Sequence, residues 1–212
     1  EIIKVGNPAL RPQFTNSYEL GYKTTFKKGY FYSALYHRST QGTITRIATQ
    51  VPPSTLIYTV FQNAGHSSNT GVEMVFQHDF SKVVSFNTNV NIYQNIIDAF
   101  TVENKYPVPS IYTATKEQFT SGNIKLNGIF HLPKQTDIQV TSIYLAPDII
   151  PQGKIGTRFS VDMGIKKQIQ KSKGELFFNA SDIFNTLKIK KELNGNGFKL
   201  TSTDYYETQA LR

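Results

Sequence analysis

The chain has 212 residues, of which 39% are hydrophobic and only 18% charged, with 12 Tyr, 15 Phe, no Trp and a formal net charge of +8. The absence of cysteine excludes disulfide scaffolds and thiolate metal sites. Lys and Arg are scattered among short turns, which argues against a nucleic-acid surface and leaves anionic lipid or lipopolysaccharide as partners for the positive charge.

Charged residues fall below the usual share of about 25%, and Asn, Gln, Ser and Thr fill the gap. That composition suits strands with one apolar and one hydrated face. No run approaches the ~18 apolar residues of a membrane helix. The sequence starts at Glu1 in mid-pattern, so an excised part of a longer chain is expected.

In chain order, the proline-punctuated stretch Gly6–Gln13 comes first and leads into alternating residues. Tyr18, Leu20, Tyr22, Thr24 and Phe26 occupy one face of a strand over 15–26, with Glu19, Gly21, Lys23 and Thr25 on the other. Period-two alternation predicts further strands near 30–40, 70–79, 83–97, 118–131, 137–146, 157–168 and 174–185, and a last one starting near 198, with Ile-rich pieces around Ile44–Ile47 and Leu56–Phe61 as extensions of the second and third strands. Many reach ten residues or more, the length of a tilted membrane-spanning strand and not the five or six of a globular one. Their connections alternate. Tight turns at 27–29, 80–82, 133–136 and 170–173 alternate with long loops at 41–56, 100–117, 147–156 and 186–197. In an up-and-down sheet the short turns collect at one end and the long loops at the other, as in outer-membrane barrels. Prolines in Gly6–Gln13 do no harm on the long-loop side, where no ladder hydrogen bond is needed.

Candidate sites are few. His37, His66, His78 and His131 lack metal-ligand spacing, and no metal or cofactor site is expected. Glu73, Asp98, Asp137, Asp162 and Glu175 accompany no nucleophile motif, so no catalytic residue and no enzyme is expected. The lysine run of 165–174 is read as a solvated hairpin end. Tyr30, Phe31, Tyr32 and Tyr36, beside a tight turn, are read as a membrane-interface girdle. Ligand contact is expected from the long loops, with Arg46, Tyr106 and Tyr112 as the candidate binding residues.

Three stretches carry a resemblance. "GNPALRPQFTNSYELGY" (6–22) is similar to a loop-strand element near the end of TonB-dependent outer-membrane receptors, in particular the barrel proteins abundant in Bacteroidota. "LFFNASDIFNT" (176–186) resembles the penultimate strand of those proteins, and "NAGHSSNTGVEM" (63–74) the start of another strand. The resemblance implies an all-β, antiparallel up-and-down transmembrane β-barrel, of which residues 1–212 form the C-terminal part, about eight or nine strands of roughly 22. It also implies TonB-coupled uptake of a scarce solute (iron chelate, cobalamin or glycan) across a Gram-negative outer membrane. The implied partners are the protein's own N-terminal plug, the TonB complex and a surface lipoprotein. Two alternatives stand beside it. One is a small eight-stranded outer-membrane barrel for adhesion or anchoring; the other is a soluble β-sandwich binding module with its apolar faces packed together.

Overall fold

A computed structural model describes residues 2–50, 53, 55–105, 109–170, 173–205 and 208–211. Eight long strands form the main sheet: β2 (Phe14–Phe26), β3 (Gly29–Gln50), β4 (Ile57–Asp79), β5 (Val84–Ile97), β8 (Glu117–Leu132), β9 (Thr136–Leu145), β12 (Arg158–Ile169) and β13 (Gly174–Ser181). Each pairs antiparallel with its neighbour in that order. The fold is therefore all-β and up-and-down, and no helix occurs among the described residues. Two short strands add to it. β1 (Ile2–Val5) runs parallel to β4, and β16 (Ala210–Leu211) pairs with β13.

Register turns sequence alternation into two continuous faces. Leu20 lies opposite Leu35, Leu35 opposite Val72, and Val72 opposite Ile92. Val90, Ile124, Tyr144 and Phe159 form a similar row further round. These side chains have no second layer over them: Tyr18 is 66% exposed and Leu20 76%. Val161 and Ala180, on the same face, are exceptions at 8% and 5%, beside the turn after β13 whose Ile183 N–H donates to the Val161 carbonyl. The opposite face carries Glu19, Glu73, Asn89, Asn91, Asn123, Lys125 and Asn127. There Tyr32 donates to Glu19 at 2.7 Å, Asn89 to Glu73 at 2.7 Å and Tyr36 to Asn91 at 3.0 Å. An uncovered apolar wall backed by a hydrogen-bonded polar one suits lipid on one side and water on the other. It does not suit the dry sheet-on-sheet core of a sandwich.

At the tight-turn end the aromatic belt differs from expectation. Tyr30, Tyr32 and Tyr36 point to the polar face, because they pair with Thr25, Lys23 and Glu19. Phe31 stays on the apolar side opposite Phe76, where Phe26, Phe76, Phe80 and Phe86 gather around His78 with centroid separations of 4.7 to 6.5 Å. Gly29 is required at this turn, since a Cβ there would collide with the Gln77 carbonyl.

The expected long loops are built mostly of strand. β3 and β4 stay paired up to Gln50 and Ile57, well beyond the last β2 residue on that ladder, Phe14. Residues 100–117 contain the hairpin β6 (Phe100–Asn104) and β7 (Ser110–Ala114). A second sheet has the order β10 (Asp148–Ile150), β11 (Gly153–Ile155), β14 (Lys188–Gly195) and β15 (Phe198–Tyr205). The strand expected from 198 thus pairs only with β14 and does not join the wall. The main sheet is open: β2 lies at one margin and β13 with β16 at the other.

Candidate functional site at the long-connection end

The small apolar core of the molecule lies above the wall, not within it. Ile47, Ala64, Ile97, Phe100, Val102, Ala114 and Ile149 cluster there, with Tyr112 and Phe119 packed against them. The β3–β4 ladder reaches this core by changing face. Gln41 pairs with His66 and Thr43 with Ala64, while Gly42 and Gly65 between them sit at φ of 63° and 22°. Across this paired kink Thr43 Oγ1 meets Ser67 Oγ at 2.9 Å, on the polar side. Odd-numbered β3 residues below the kink face lipid, whereas Ile47 above it faces inward. Glycine takes such φ values at no steric cost, which a side chain would raise.

Polar clasps hold the cap to the wall. Asn7 Oδ1 accepts from Ala9 N–H at 2.9 Å, while its Nδ2 donates to the Phe61 carbonyl at 2.8 Å. Asn63 accepts from Arg11 N–H and donates to the Arg11 carbonyl, both at 2.9 Å. The proline-rich stretch is therefore a strap tied across the β3–β4 extension. Gln152, 3% exposed, takes the place of an edge strand: Ala48 N–H donates to its Oε1 at 2.6 Å and its Nε2 returns a bond to Ala48 O at 3.0 Å. Gln62 donates to the buried Asn104, which donates in turn to Thr49.

Between these parts lies a cavity of about 540 Å³ lined by Lys4, Arg46, Gln152, Lys191, Ser202 and Asp204, among others. The Arg46 guanidinium sits 4.7 Å from the Phe61 ring centroid, and Lys191 approaches Asp204 at 3.6 Å. Lys4 and Arg46 form no ion pair among the described residues, so the cavity presents uncompensated positive charge with hydroxyl and amide donors. This lining can hold an anionic or polyhydroxylated solute through charge-assisted hydrogen bonds.

Of the three expected contacts, Arg46 lines this cavity. Tyr112 lines a separate one of about 80 Å³ with Thr49 and Asn196. Its hydroxyl donates to the Pro151 carbonyl at 3.3 Å and burial pushes its phenol up, so it packs the cap. Tyr106 lies outside the described residues. Sequence alternation gave no signal for Lys4, Gln152 or Lys191, which meet through the pairing of connections far apart in the chain.

The histidines are dispersed. His37 contacts Thr70, His131 contacts Asp137, and His66 lies between Ser39 and Asp98. Among the described residues no three His, Asp or Glu side chains gather as a metal-ligand set. The "DIFNT" stretch is a folded turn. Asp182 is 1% exposed and accepts from Thr186 N–H, Leu187 N–H and the Thr186 and Thr208 hydroxyls. In the lysine run, Lys166 pairs with Glu175 across the hairpin at 2.8 Å.

With this geometry in view, the family is plain: the chain belongs to the outer membrane protein beta-barrel family, whose model matches residues 1–212. Its place is the outer membrane, crossed several times by the long strands. Comparison with curated proteins and with solved structures returns no match.

Proposed function

We propose that the chain is the C-terminal wall and ligand-facing cap of an outer-membrane receptor for TonB-coupled uptake of a scarce solute. The observation that carries this reading is the cation-lined cavity of about 540 Å³ in the long-connection layer. It stands above a polar wall face suited to water, and a plug inside such a wall is part of the proposal. The 6–22, 63–74 and 176–186 stretches add support through their likeness to receptor barrels. The two margins of the sheet support a larger barrel, since an unpaired strand edge has no place in hydrocarbon and further strands would close the wall. In this role the chain does no chemistry on the solute. The cap captures it, and a plug drawn by TonB would open the path.

Of the solute classes, acidic iron chelates and acidic glycans fit Lys4, Arg46 and Lys191 best. A lipoprotein resting on the cap and lipopolysaccharide around the wall are the expected partners. The test is energised uptake in cells producing the whole protein. Accumulation of the solute should stop without TonB and fall at least tenfold in Arg46→Glu. Accumulation indifferent to TonB defeats the proposal. A smaller anchoring or adhesion barrel is the second reading, favoured by the eight long strands, a number that can close alone.

A further inference from the structure

Ser39, His66 and Asp98 stand far apart in sequence, on or just beyond three different strands, yet the sheet register brings them into line. Ser39 on β3 lies opposite Ser68 of β4, so His66, two residues along, is its diagonal neighbour on the same face. Asp98 follows the last β5 residue, Ile97, which pairs with Ser67, and its N–H donates to the His66 carbonyl at 3.0 Å. The side chains meet in sequence: Ser39 Oγ to His66 Nε2 at 2.8 Å, and His66 Nδ1 to Asp98 Oδ2 at 2.7 Å. A carboxylate only accepts, so Nδ1 carries the ring hydrogen and Nε2 is left to accept the Ser39 hydroxyl proton. The hydrogen bond to His66, and then the Lys116 ammonium at 3.3 Å, hold the Asp98 carboxyl below its usual range.

The setting is as informative as the contacts. Ser39 lies on the uncovered apolar face, in line with Leu35 and His37 on β3. Ten residues separate Gly29 at the tight-turn end from Ser39. At about 3.3 Å per residue and a strand tilt of about 40°, that is about 25 Å of height, the thickness of a barrel's apolar band. The hydroxyl therefore sits where the outer hydrocarbon boundary falls, the depth of the ester linkages of lipid acyl chains. Asn16, directly opposite Ser39 on β2 and on the same face, is exposed and brings an amide donor alongside.

We propose that Ser39 and His66, positioned by Asp98, form an esterase centre on the lipid-facing side of the barrel that cleaves long-chain acyl esters at the outer membrane boundary. This function is separate from solute uptake and needs only the membrane-embedded wall. Ser39 Oγ bonds the acyl carbon as its proton passes to His66 Nε2. The acyl carbon–oxygen bond then breaks, and the alcohol leaves with that proton. Water next attacks the acyl group on Ser39, giving one proton to His66, which returns it to Ser39 Oγ as the carboxylic acid departs. One water is consumed per ester, with no change of oxidation state. The Asn16 amide donates to the carbonyl oxygen as charge develops on it. Glycerophospholipid and lipid A both present such esters.

The test uses the whole protein reconstituted in two vesicle types, one of phosphatidylethanolamine with phosphatidylglycerol and one of lipid A, with released fatty acid measured. The wild type should release acid from at least one type, and the responsive type identifies the source. Ser39→Ala and His66→Ala should lower release at least 100-fold while the folded barrel keeps its heat-modifiable gel mobility. Asn16→Ala should lower kcat about 10²–10³-fold. Asp98→Asn should lower kcat with KM unchanged, and Asp98→Glu should recover part of the loss, a split that a merely structural carboxylate would not produce. An alkyl fluorophosphonate, mapped by mass spectrometry on wild-type protein, should label Ser39, which decides the matter even if a variant fails to fold. No release from either vesicle by folded wild type, equal release by folded Ser39→Ala, or labelling confined to another residue overturns the proposal.

Discussion

Asp182 shows how a single residue closes a motif. Burial pushes its carboxyl up, but bonds from Thr208, Thr186 and Leu187 outweigh this and hold it below the ordinary carboxylate range. Its folded-state value is thus depressed, and the sign follows: its stabilisation is fully present above the unfolded carboxylate value of about 3.9 and is lost as pH falls through the lower folded value. Asp182→Ala strands the Thr186 and Leu187 N–H groups and should cost about 3 kcal/mol. Thermal unfolding of the detergent-solubilised protein between pH 3 and 7 checks both points, with the variant showing a weaker acid dependence than wild type. The aspartate of "DIFNT" is visible in the sequence, but its role is not, because Thr208 joins it only when the chain returns after β15. Ser39, His66 and Asp98 were hidden in the same way. His66 has no partner at helical or strand spacing, and only the pairing of β3, β4 and β5 supplies its neighbours.

Among elements, the eight wall strands were legible because alternation persists for ten residues or more and survives in the register. The faces assigned to Tyr18 through Phe26 and to Val84 through Ile92 are those observed. Placing Leu35→Arg on the lipid face should destabilise the folded barrel by about 2–4 kcal/mol, and Asn89→Arg on the polar face by far less. Urea unfolding in lipid vesicles measures the difference. Of the cap, only the extension of β3 and β4 through the Ile-rich pieces at 44–47 and 56–61 was legible; the other strands are short, and β3 changes face at Gly42. Odd positions that point outward at Leu35 point inward at Ile47, so a constant alternation cannot describe the strand. Gly42→Val, at a φ of 63°, should cost at least ~1–2 kcal/mol and loosen Ile47 from its cluster. Faster amide exchange confined to the upper β3 and β4 would register that loosening. The girdle is a related case. Four aromatics within 30–36 looked like one belt, but alternation sends the three tyrosines and Phe31 to opposite faces.

For the molecule as a whole, burial is inverted relative to a globular domain. Most large apolar residues of the long strands lie uncovered, while among the described residues the compact apolar cluster sits in the cap. Such a surface is stable only where lipid replaces water on the outside. Charge is sorted as well: Arg46, Lys4 and Lys191 gather at the cap, and the wall interior is mostly amide and hydroxyl. Uptake and the proposed ester cleavage would use different regions of this body, the cavity above and the lipid face below. Arg46→Glu should therefore leave fatty-acid release unchanged, while Ser39→Ala leaves solute accumulation unchanged; parallel assays of both variants test this independence. The chain contains no cysteine, so single substitutions carry one label without ambiguity. The most direct measurement is spin-label accessibility along β2 to β5 in lipid bilayers, with Leu20→Cys, Leu35→Cys and Val90→Cys set against Glu19→Cys, Glu73→Cys and Asn91→Cys. The first set should be relaxed by membrane-dissolved oxygen and the second by a water-soluble nickel chelate, alternating residue by residue. Equal access of the chelate to both sets, or its exclusion from both, would contradict a wall with lipid on one side and water on the other.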